Sequence, residues 1–175
     1  MPEFRSLGLD LGTHTGWAIS EGDKIVGSGV RDFSIKYSEH KGRRGIKFYN
    51  FLLTHGRVDE IYVEKVAFSG NFKNKKGQWI SPSSDGKQLY HGLLMLVEMY
   101  AAGFGIPVYD VNLSTLKKAF TGDGHATKED MCRMAHHLGW KGGQPGTALY
   151  HDEVDACALI ITEHKKRYNT QIGFV

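Results

Sequence analysis

Apolar and polar residues alternate over the first third of the chain, a pattern that is typical of half-buried strands. Leu7, Leu9 and Leu11 alternate with small or polar residues. Short turns that contain glycine separate this segment from two further apolar segments. Three consecutive strands joined by short turns predict an antiparallel meander. The predicted strands cover residues 4–11, a segment that begins at 17–19, and residues 24–32.

After residue 40 the apolar residues recur every three or four positions, as in helices that pack on one side. The first predicted helix, over 41–55, has one apolar face, which consists of Ile46, Tyr49, Leu52 and Leu53. Strands and helices then follow in turn, and the chain from Asn169 onwards is expected to be loosely held. This order predicts an α/β fold in which helices cover both faces of a mixed five-stranded sheet. The remaining predicted elements are strands over 58–66 and 107–111 and helices over 86–104, 113–120, 127–138 and 149–168.

Composition adds few constraints to this picture. The chain has 175 residues, of which 41% are hydrophobic and 23% charged, so we expect one globular domain over residues 1–175. The net charge of +3 is too small to predict nucleic-acid binding unless the basic residues cluster locally. A signal-peptide pattern and a membrane-length apolar run are both absent from the sequence, so a soluble, cytoplasmic protein is expected. Cys132 and Cys157 are then expected to be buried thiols.

Two carboxylates stand near the ends of predicted strands. Asp10 lies at the end of the first apolar strand, and Glu64 lies near the end of the strand over 58–66. An aspartate that caps a turn is the alternative explanation for Asp10. Two such acids, followed by an acidic pair on a late helix, indicate one site assembled from separate elements.

The acidic pair belongs to the helix predicted over 149–168. Asp152 and Asp155 are three residues apart, and His151 precedes Asp155 by four, so the three side chains share a face. Carboxylates on a helix that packs against a core are costly unless they are paired, hydrated or bound to a cation. The alternative is a group of first-turn acids that the helix dipole favours. The adjoining apolar stripe consists of Val154, Cys157, Ala158 and Ile161.

Residues 68–84 are rich in glycine, asparagine and serine, and they predict a loop without regular structure. Its basic residues alternate with aromatic ones, an arrangement that can hold phosphates and stack on bases. The alternative is a solvated loop whose aromatic side chains pack against the body of the protein. The candidate DNA-binding residues of this loop are Phe68, Phe72, Lys73, Lys75, Lys76 and Trp79.

Three more lysines, Lys117, Lys118 and Lys128, bracket a Gly-x-Gly loop and are expected to hold phosphates, with solvated helix ends as the alternative. The helix over 86–104 carries more apolar residues than one core face needs. Its surplus residues Leu94, Met95 and Met99 predict either a surface that pairs with a second copy of the chain or additional intramolecular core.

Four motifs stand in a fixed order along the chain, and they cover nearly all of it. They are Gly8-Leu9-Asp10-Leu11-Gly12 with Thr15-Gly16-Trp17-Ala18; Val63-Glu64-Lys65-Val66-Ala67-Phe68; Lys117 with Gly122-Asp123-Gly124 and Ala126-Thr127-Lys128; and Asp152-Glu153-Val154-Asp155-Ala156-Cys157-Ala158. This order resembles the ribonuclease H-like nucleases and, within them, the RuvC Holliday-junction resolvases. A longer and more basic loop after Phe68 favours a divergent, bacteriophage branch.

The resemblance implies an endonuclease that cuts four-way junctions or other branched DNA as a homodimer. It implies two Mg²⁺ ions, which Mn²⁺ can replace, held by Asp10, Glu64, Asp152 and Asp155, with Asp10 as the shared ligand. His151 would bind metal or position a water. Two alternatives stay open: an actin-like or sugar-kinase phosphotransferase lobe, which the turn after Asp10 also resembles, and a non-catalytic module that binds branched DNA.

Overall fold

The computed structural model of the chain describes residues 3–66, 72–73, 79–80, 84–142 and 149–175. Eight strands and five helices lie within these ranges. The strands are β1 (Arg5–Asp10), β2 (His14–Glu21), β3 (Lys24–Asp32), β4 (Glu60–Lys65), β5 (Phe72–Lys73), β6 (Trp79–Ile80), β7 (Val108–Asn112) and β8 (Gly173–Phe174). The helices are α1 (Gly42–Thr54), α2 (Ser84–Phe104), α3 (Leu113–Thr121), α4 (Lys128–His137) and α5 (Leu149–Tyr168).

Six strands form one mixed sheet in the order β7-β4-β1-β2-β3-β8. Strands β1, β2 and β3 form the predicted antiparallel meander. β4 runs parallel to β1, and β7 runs parallel to β4. The predicted α/β class is confirmed, and the sheet has one strand more than the five expected. That strand, β8, pairs with β3 and follows the fully buried Ile172, so the expectation of a loosely held chain end is wrong. Its two residues are too few to give an alternating pattern.

The alternation along the strands sorts side chains into two cores, one on each face of the sheet. Leu7, Leu9 and Leu11 pack with α1 and α2. On the other face Ala18 packs with α5, whose predicted apolar stripe is buried, and α3 and α4 lie against α5. Cys132 and Cys157 are buried free thiols, as predicted. No helix in the described part of the chain is long and apolar enough to cross a membrane.

The predicted face of α1 is partly wrong. Phe48 and Leu52 are the buried residues of this helix, whereas Ile46 and Leu53 are exposed. Phe48 packs edge-on against Phe33, with 5.2 Å between the ring centroids. The apolar spacing of α1 is compatible with more than one rotation about the helix axis, and the contact with Phe33 selects the observed one.

In α2, the buried residues include Leu93, Val97 and Tyr100. Met95 and Met99 are 61% and 55% exposed, so they are surplus to the core as the sequence predicted. Leu94 does not belong to this surplus, because it is half-buried against the same core as Leu93.

The expectation that residues 68–84 lack regular structure is also wrong for residues 72–73, 79–80 and 84, the part of this segment that the structure describes. β5 and β6 pair antiparallel, with Phe72 opposite Ile80 and Lys73 opposite Trp79, and α2 already begins at Ser84. Each strand has only two residues, which is too short for a periodic pattern in the sequence.

A buried polar cluster anchors the C-terminal half of α5 to the beginning of β4. The Glu60 carboxylate accepts hydrogen bonds from Ser6 Oγ (2.8 Å) and Tyr168 Oη (2.8 Å), and its Oε1 lies 3.1 Å from His164 Nε2. Burial opposes ionisation of Glu60, but hydrogen bonds from His164, Tyr62, Ser6 and Tyr168 lower its pKa to about 2. The cluster lies at the opposite end of β4 from Glu64, and it holds α5 along the strands.

Candidate metal centre

Three elements bring carboxylates together at one edge of the sheet. Asp10 ends β1, Glu64 is the penultimate residue of β4, and Asp155 lies in the second turn of α5. The parallel register pairs Leu9 with Val63, so Asp10 and Glu64 are neighbours on the α5 face. One carboxylate oxygen from each of the three residues lies within 4.8 Å of the others. Three oxygen donors at this separation are suited to a hard divalent cation such as Mg²⁺.

Two glycines allow α5 to approach the sheet closely enough to deliver Asp155. A Cβ atom on Gly8 would lie 2.3 Å from the carbonyl oxygen of Ala156, and one on Gly16 would lie 1.8 Å from that of Asp152. Sequence analysis placed both glycines in motifs but assigned them no function. Both glycines lie on the same face of two neighbouring strands. This arrangement could have predicted the close approach of a helix, because residues without a side chain permit it.

The carboxylates of the site raise one another's pKa values. Burial and the charges of Glu64, Asp155 and Asp152 raise the pKa of Asp10 well above its usual range. Burial, followed by the Asp155 charge, raises the pKa of Glu64 to about 7. Burial also raises the pKa of Asp155 to about 6, with a further increase from Asp152. A bound cation would relieve this accumulated negative charge, so the electrostatics and the geometry point to the same chemistry.

Asp152 lies beside the three-carboxylate cluster and is not among the oxygen donors that share it. It is half-buried, and its charge raises the pKa values of Asp10, Glu64 and Asp155. Burial raises the pKa of Asp152 itself, whereas Lys128, His14 and His151 act to lower it. The structure therefore brings Asp152 to the site and places it outside the central group.

His151 extends towards α4. Its Nδ1 lies 3.3 Å from the Sγ atom of Cys132. Its charge, when protonated, would favour ionisation of Asp152. The prediction of a shared helix face is correct for Asp152 and Asp155. The His151 ring instead contacts the neighbouring helix α4.

Two of the three lysines around the Gly-x-Gly loop lie near the carboxylates. Lys117 and Lys128 each act to lower the pKa values of Glu64 and Asp155. Lys117 Nζ also donates a hydrogen bond to the carbonyl oxygen of Ala126 (2.8 Å), which holds the loop before α4 against α3. Lys118 lies instead in a surface pocket beside Ser114 and His125.

Tyr90 is a residue of the site region that sequence analysis did not identify. Its hydroxyl donates a hydrogen bond to the backbone carbonyl oxygen of Glu64 (2.8 Å), so α2 is attached to β4 at the residue that carries the carboxylate. The sequence offered no specific signal, because a tyrosine at a buried helical position is usually a core residue.

The aromatic and basic residues predicted to bind DNA after β4 are described only in part. Phe68, Lys75 and Lys76 lie outside the described residues. Phe72, Lys73 and Trp79 lie in the paired strands β5 and β6, of which the backbone is described.

The mixed sheet, with acids on two adjacent parallel strands and a third acid on the helix above them, is the architecture of the ribonuclease H-like nucleases. A solved structure described as Thermus thermophilus RuvC in complex with Holliday junction substrate has this fold. It matches 97% of this chain and 99% of that chain, with a TM-score of 0.70 and 22% sequence identity. At this identity the match establishes the fold alone. No family model matches the chain.

Curated relatives identify the family. The crossover junction endodeoxyribonuclease RuvC of Beijerinckia indica subsp. indica is 30% identical over 172 residues, which are 96% of this chain and 90% of that protein. The protein of the same name from Anaeromyxobacter sp. (strain Fw109-5) is 45% identical over 67 residues, which are 38% of this chain and 30% of that protein. The chain belongs to the RuvC family of crossover junction endodeoxyribonucleases.

Proposed function

We propose that the chain is a Mg²⁺-dependent endonuclease that cuts Holliday junctions or other branched DNA. The observation that carries the proposal is the meeting of the Asp10, Glu64 and Asp155 oxygens within 4.8 Å. Membership of the RuvC family supports branched DNA as the substrate class.

The donor set fits magnesium because it consists of carboxylate oxygens, which Mg²⁺ prefers. Asp10, Glu64 and Asp155 would hold one ion, and Asp10 with Asp152 would help to hold a second; Mn²⁺ could replace either. Two bound ions would neutralise charge at the phosphorus and supply an activated water. His151, next to Asp152 and in contact with Cys132, would position a water at the edge of the site.

The remaining predicted residues would bind the DNA strand around the scissile phosphate. Lys117 and Lys128 provide positive charge beside the carboxylates, and Lys118 would contact a phosphate farther along the strand. After β4, the lysines would hold phosphates and the aromatic side chains would stack on bases at the branch point. These residues are Phe68, Phe72, Lys73, Lys75, Lys76 and Trp79.

The proposal includes a homodimer that works on DNA in the cytoplasm of a bacterial or phage-infected cell. A four-way junction has near two-fold symmetry and is resolved by cuts in two strands. Two active sites related by a two-fold axis would place both cuts symmetrically. The exposed Met95 and Met99 of α2 form the candidate contact surface.

The decisive experiment is cleavage of a labelled four-way junction with Mg²⁺, with both strands mapped. The wild type should make paired, symmetric cuts. Asp10→Asn should bind the junction without cutting it, while the control Asp23→Asn, in the exposed turn between β2 and β3, should cut normally. Binding without cutting by the wild type would instead indicate a non-catalytic module, and tight nucleotide binding would indicate a phosphotransferase.

A further inference from the structure

Residues 33–47, which connect β3 to α1 and form the first turns of α1, concentrate positive charge. They contain five lysines and arginines and one glutamate, in a chain whose net charge is only +3. The five cations are Lys36, Lys41, Arg43, Arg44 and Lys47. Positive charge that is this dense on one surface favours an anionic partner.

This segment and the N-terminal half of α2 enclose a groove of about 600 Å³. We call it the α1–α2 groove. Its floor is apolar, formed by Ile35, Leu89, Leu93 and Leu96, and Lys36, Lys41 and Arg44 lie along its rim. The Tyr37 side chain stands at the rim fully exposed to solvent. A pocket of this size with an apolar floor and a few polar groups suits a small planar group such as a nucleobase.

Internal contacts account for the acidic lining residues and hold the segment in place. Glu39 pairs with Arg43 at 3.2 Å and accepts a hydrogen bond from the Lys36 backbone nitrogen (2.7 Å). Asp85 lies in the first turn of α2, where the helix dipole favours an acid. Arg44 Nε donates to the Phe33 carbonyl oxygen at 3.0 Å. The rim therefore keeps a net positive charge. Hydrogen bonds from Arg44 and to Glu39 hold its backbone in place.

Both walls of the groove are attached next to the carboxylate cluster. On one side, the Phe33 backbone nitrogen donates to the carbonyl oxygen of Thr13 (2.8 Å), in the turn that follows Asp10. On the other side, Tyr90 of α2 bonds to the Glu64 carbonyl oxygen, and its neighbour Leu89 lines the groove. The groove lies on the α1–α2 face of the sheet, and these two bonds attach its walls to the strand ends that carry Asp10 and Glu64.

We propose that the α1–α2 groove binds an unpaired nucleotide of the branched substrate. The base would lie on the leucine floor and stack on Tyr37, while the adjoining phosphates would contact Lys36 and Lys41. The groove would thereby distinguish a branch point, where bases unstack, from continuous duplex. This inference rests on the proposed function, since it names a binding subsite for the same DNA.

Junction binding by the inactive Asp10→Asn protein tests the inference. In that background Tyr37→Ala should weaken junction binding about 5- to 150-fold, the range expected for the loss of one stacked base, and linear duplex binding should change little. Lys36→Ala with Lys41→Ala should lower the salt dependence of binding by about two counterions. The matched control, Lys24→Ala with Lys165→Ala, removes two exposed lysines remote from the groove and should leave the preference for junctions unchanged.

Photocrosslinking locates the contact directly. A junction with 5-iodouracil at the branch point should crosslink to Tyr37, as mapped by mass spectrometry. Adducts confined to other segments, or equal binding by Tyr37→Ala and its parent, would overturn the groove assignment. If the wild type still cuts junctions in that case, the proposed function is unaffected. A change of oligomeric state in Tyr37→Ala would mean that a second copy fills the groove, and this too would overturn the assignment. If the wild type neither binds nor cuts junctions, the proposed function fails and this inference fails with it.

Discussion

The backbone of Asp152 lies so close to Gly16 that position 16 has no room for a side chain. A Cβ atom there would lie 1.8 Å from the Asp152 carbonyl oxygen, far inside van der Waals contact. Because Asp152 and Asp155 lie on the same helix, this contact also sets the height of Asp155 above Asp10. The absence of a side chain in β2 thus positions a carboxylate of the candidate metal centre.

Gly16→Ala should therefore impair cleavage and stability together. Displacing α5 should cost about 1–3 kcal/mol of unfolding free energy, the usual penalty for overpacking. Junction cleavage per folded molecule should fall at least tenfold, because the metal ligands separate. Gly27→Ala is the control, since its Cβ would make ordinary contacts of 3.4 Å and more. Normal cleavage by a folded Gly16→Ala protein would show that the height of α5 is not critical.

Metal binding should depend steeply on pH. The pKa of Glu64 is about 7 and that of Asp155 about 6, in both cases raised chiefly by burial. Protons therefore compete with Mg²⁺, and the apparent affinity should fall as the pH is lowered from 8 to 6, by about tenfold per pH unit for each proton displaced. Calorimetric titration with Mg²⁺ or Mn²⁺ measures this, and Asp10→Asn serves as the metal-binding control. An affinity independent of pH would contradict the ligand assignment.

The same pKa values predict how the metal-free protein responds to pH. A carboxyl whose pKa is higher in the folded than in the unfolded state favours folding below its unfolded pKa, and this contribution is lost as the pH rises through the folded pKa. The melting temperature without metal should therefore fall as the pH rises from about 4.5 to 7 and then level off. Asp155→Asn should reduce this fall in melting temperature. Mg²⁺ should abolish the fall in the wild type and not in the variant. An unchanged melting curve in Asp155→Asn would argue against strain at this carboxylate.

Phe68 is expected to stack on or wedge between bases at the branch point. Phe68→Ala should weaken junction cutting by the equivalent of about 1–3 kcal/mol and leave the melting temperature nearly unchanged. Phe104→Ala, at the end of α2, is a control that removes a part-exposed phenyl ring elsewhere. A large drop in melting temperature, with unchanged cutting per folded molecule, would identify Phe68 as a core residue.

The dimer prediction is best tested at Met95, because only part of the predicted contact surface is exposed. Leu94 is half-buried, so a charge there would disturb folding as well as association. Met95→Glu introduces charge on the exposed surface and should shift the mass measured by light scattering from about twice 19.6 kDa towards 19.6 kDa. Val26→Glu is the control at an exposed apolar position of β3. A wild type that is monomeric at high concentration and on junction DNA would rule the dimer out.

Much of the fold followed from local pattern. Alternation around Asp10 predicted a strand with one apolar face, and that face packs against α1 and α2. The stripe next to Asp152 and Asp155 predicted the buried positions Val154, Cys157, Ala158 and Ile161, which are buried, although α3 and α4 also cover the other side of α5. These predictions succeeded because the periods of strands and helices are properties of the backbone, which the sequence displays directly.

Other features were decided by packing between distant segments. The rotation of α1 depended on Phe33, and β8 depended on an unpaired edge of β3. Neither feature is visible in a local pattern, because the partner residue lies in another part of the chain.

By itself, the sequence determined which residues could form the site: acids at the ends of two strands and on one helix. The tertiary structure decided which of them meet. Asp10, Glu64 and Asp155 share one cluster, Asp152 lies beside it, and His151 contacts Cys132. The physical reason is that periodicity fixes the faces of a single element, whereas distances between elements depend on close contacts such as that of Gly16 with α5.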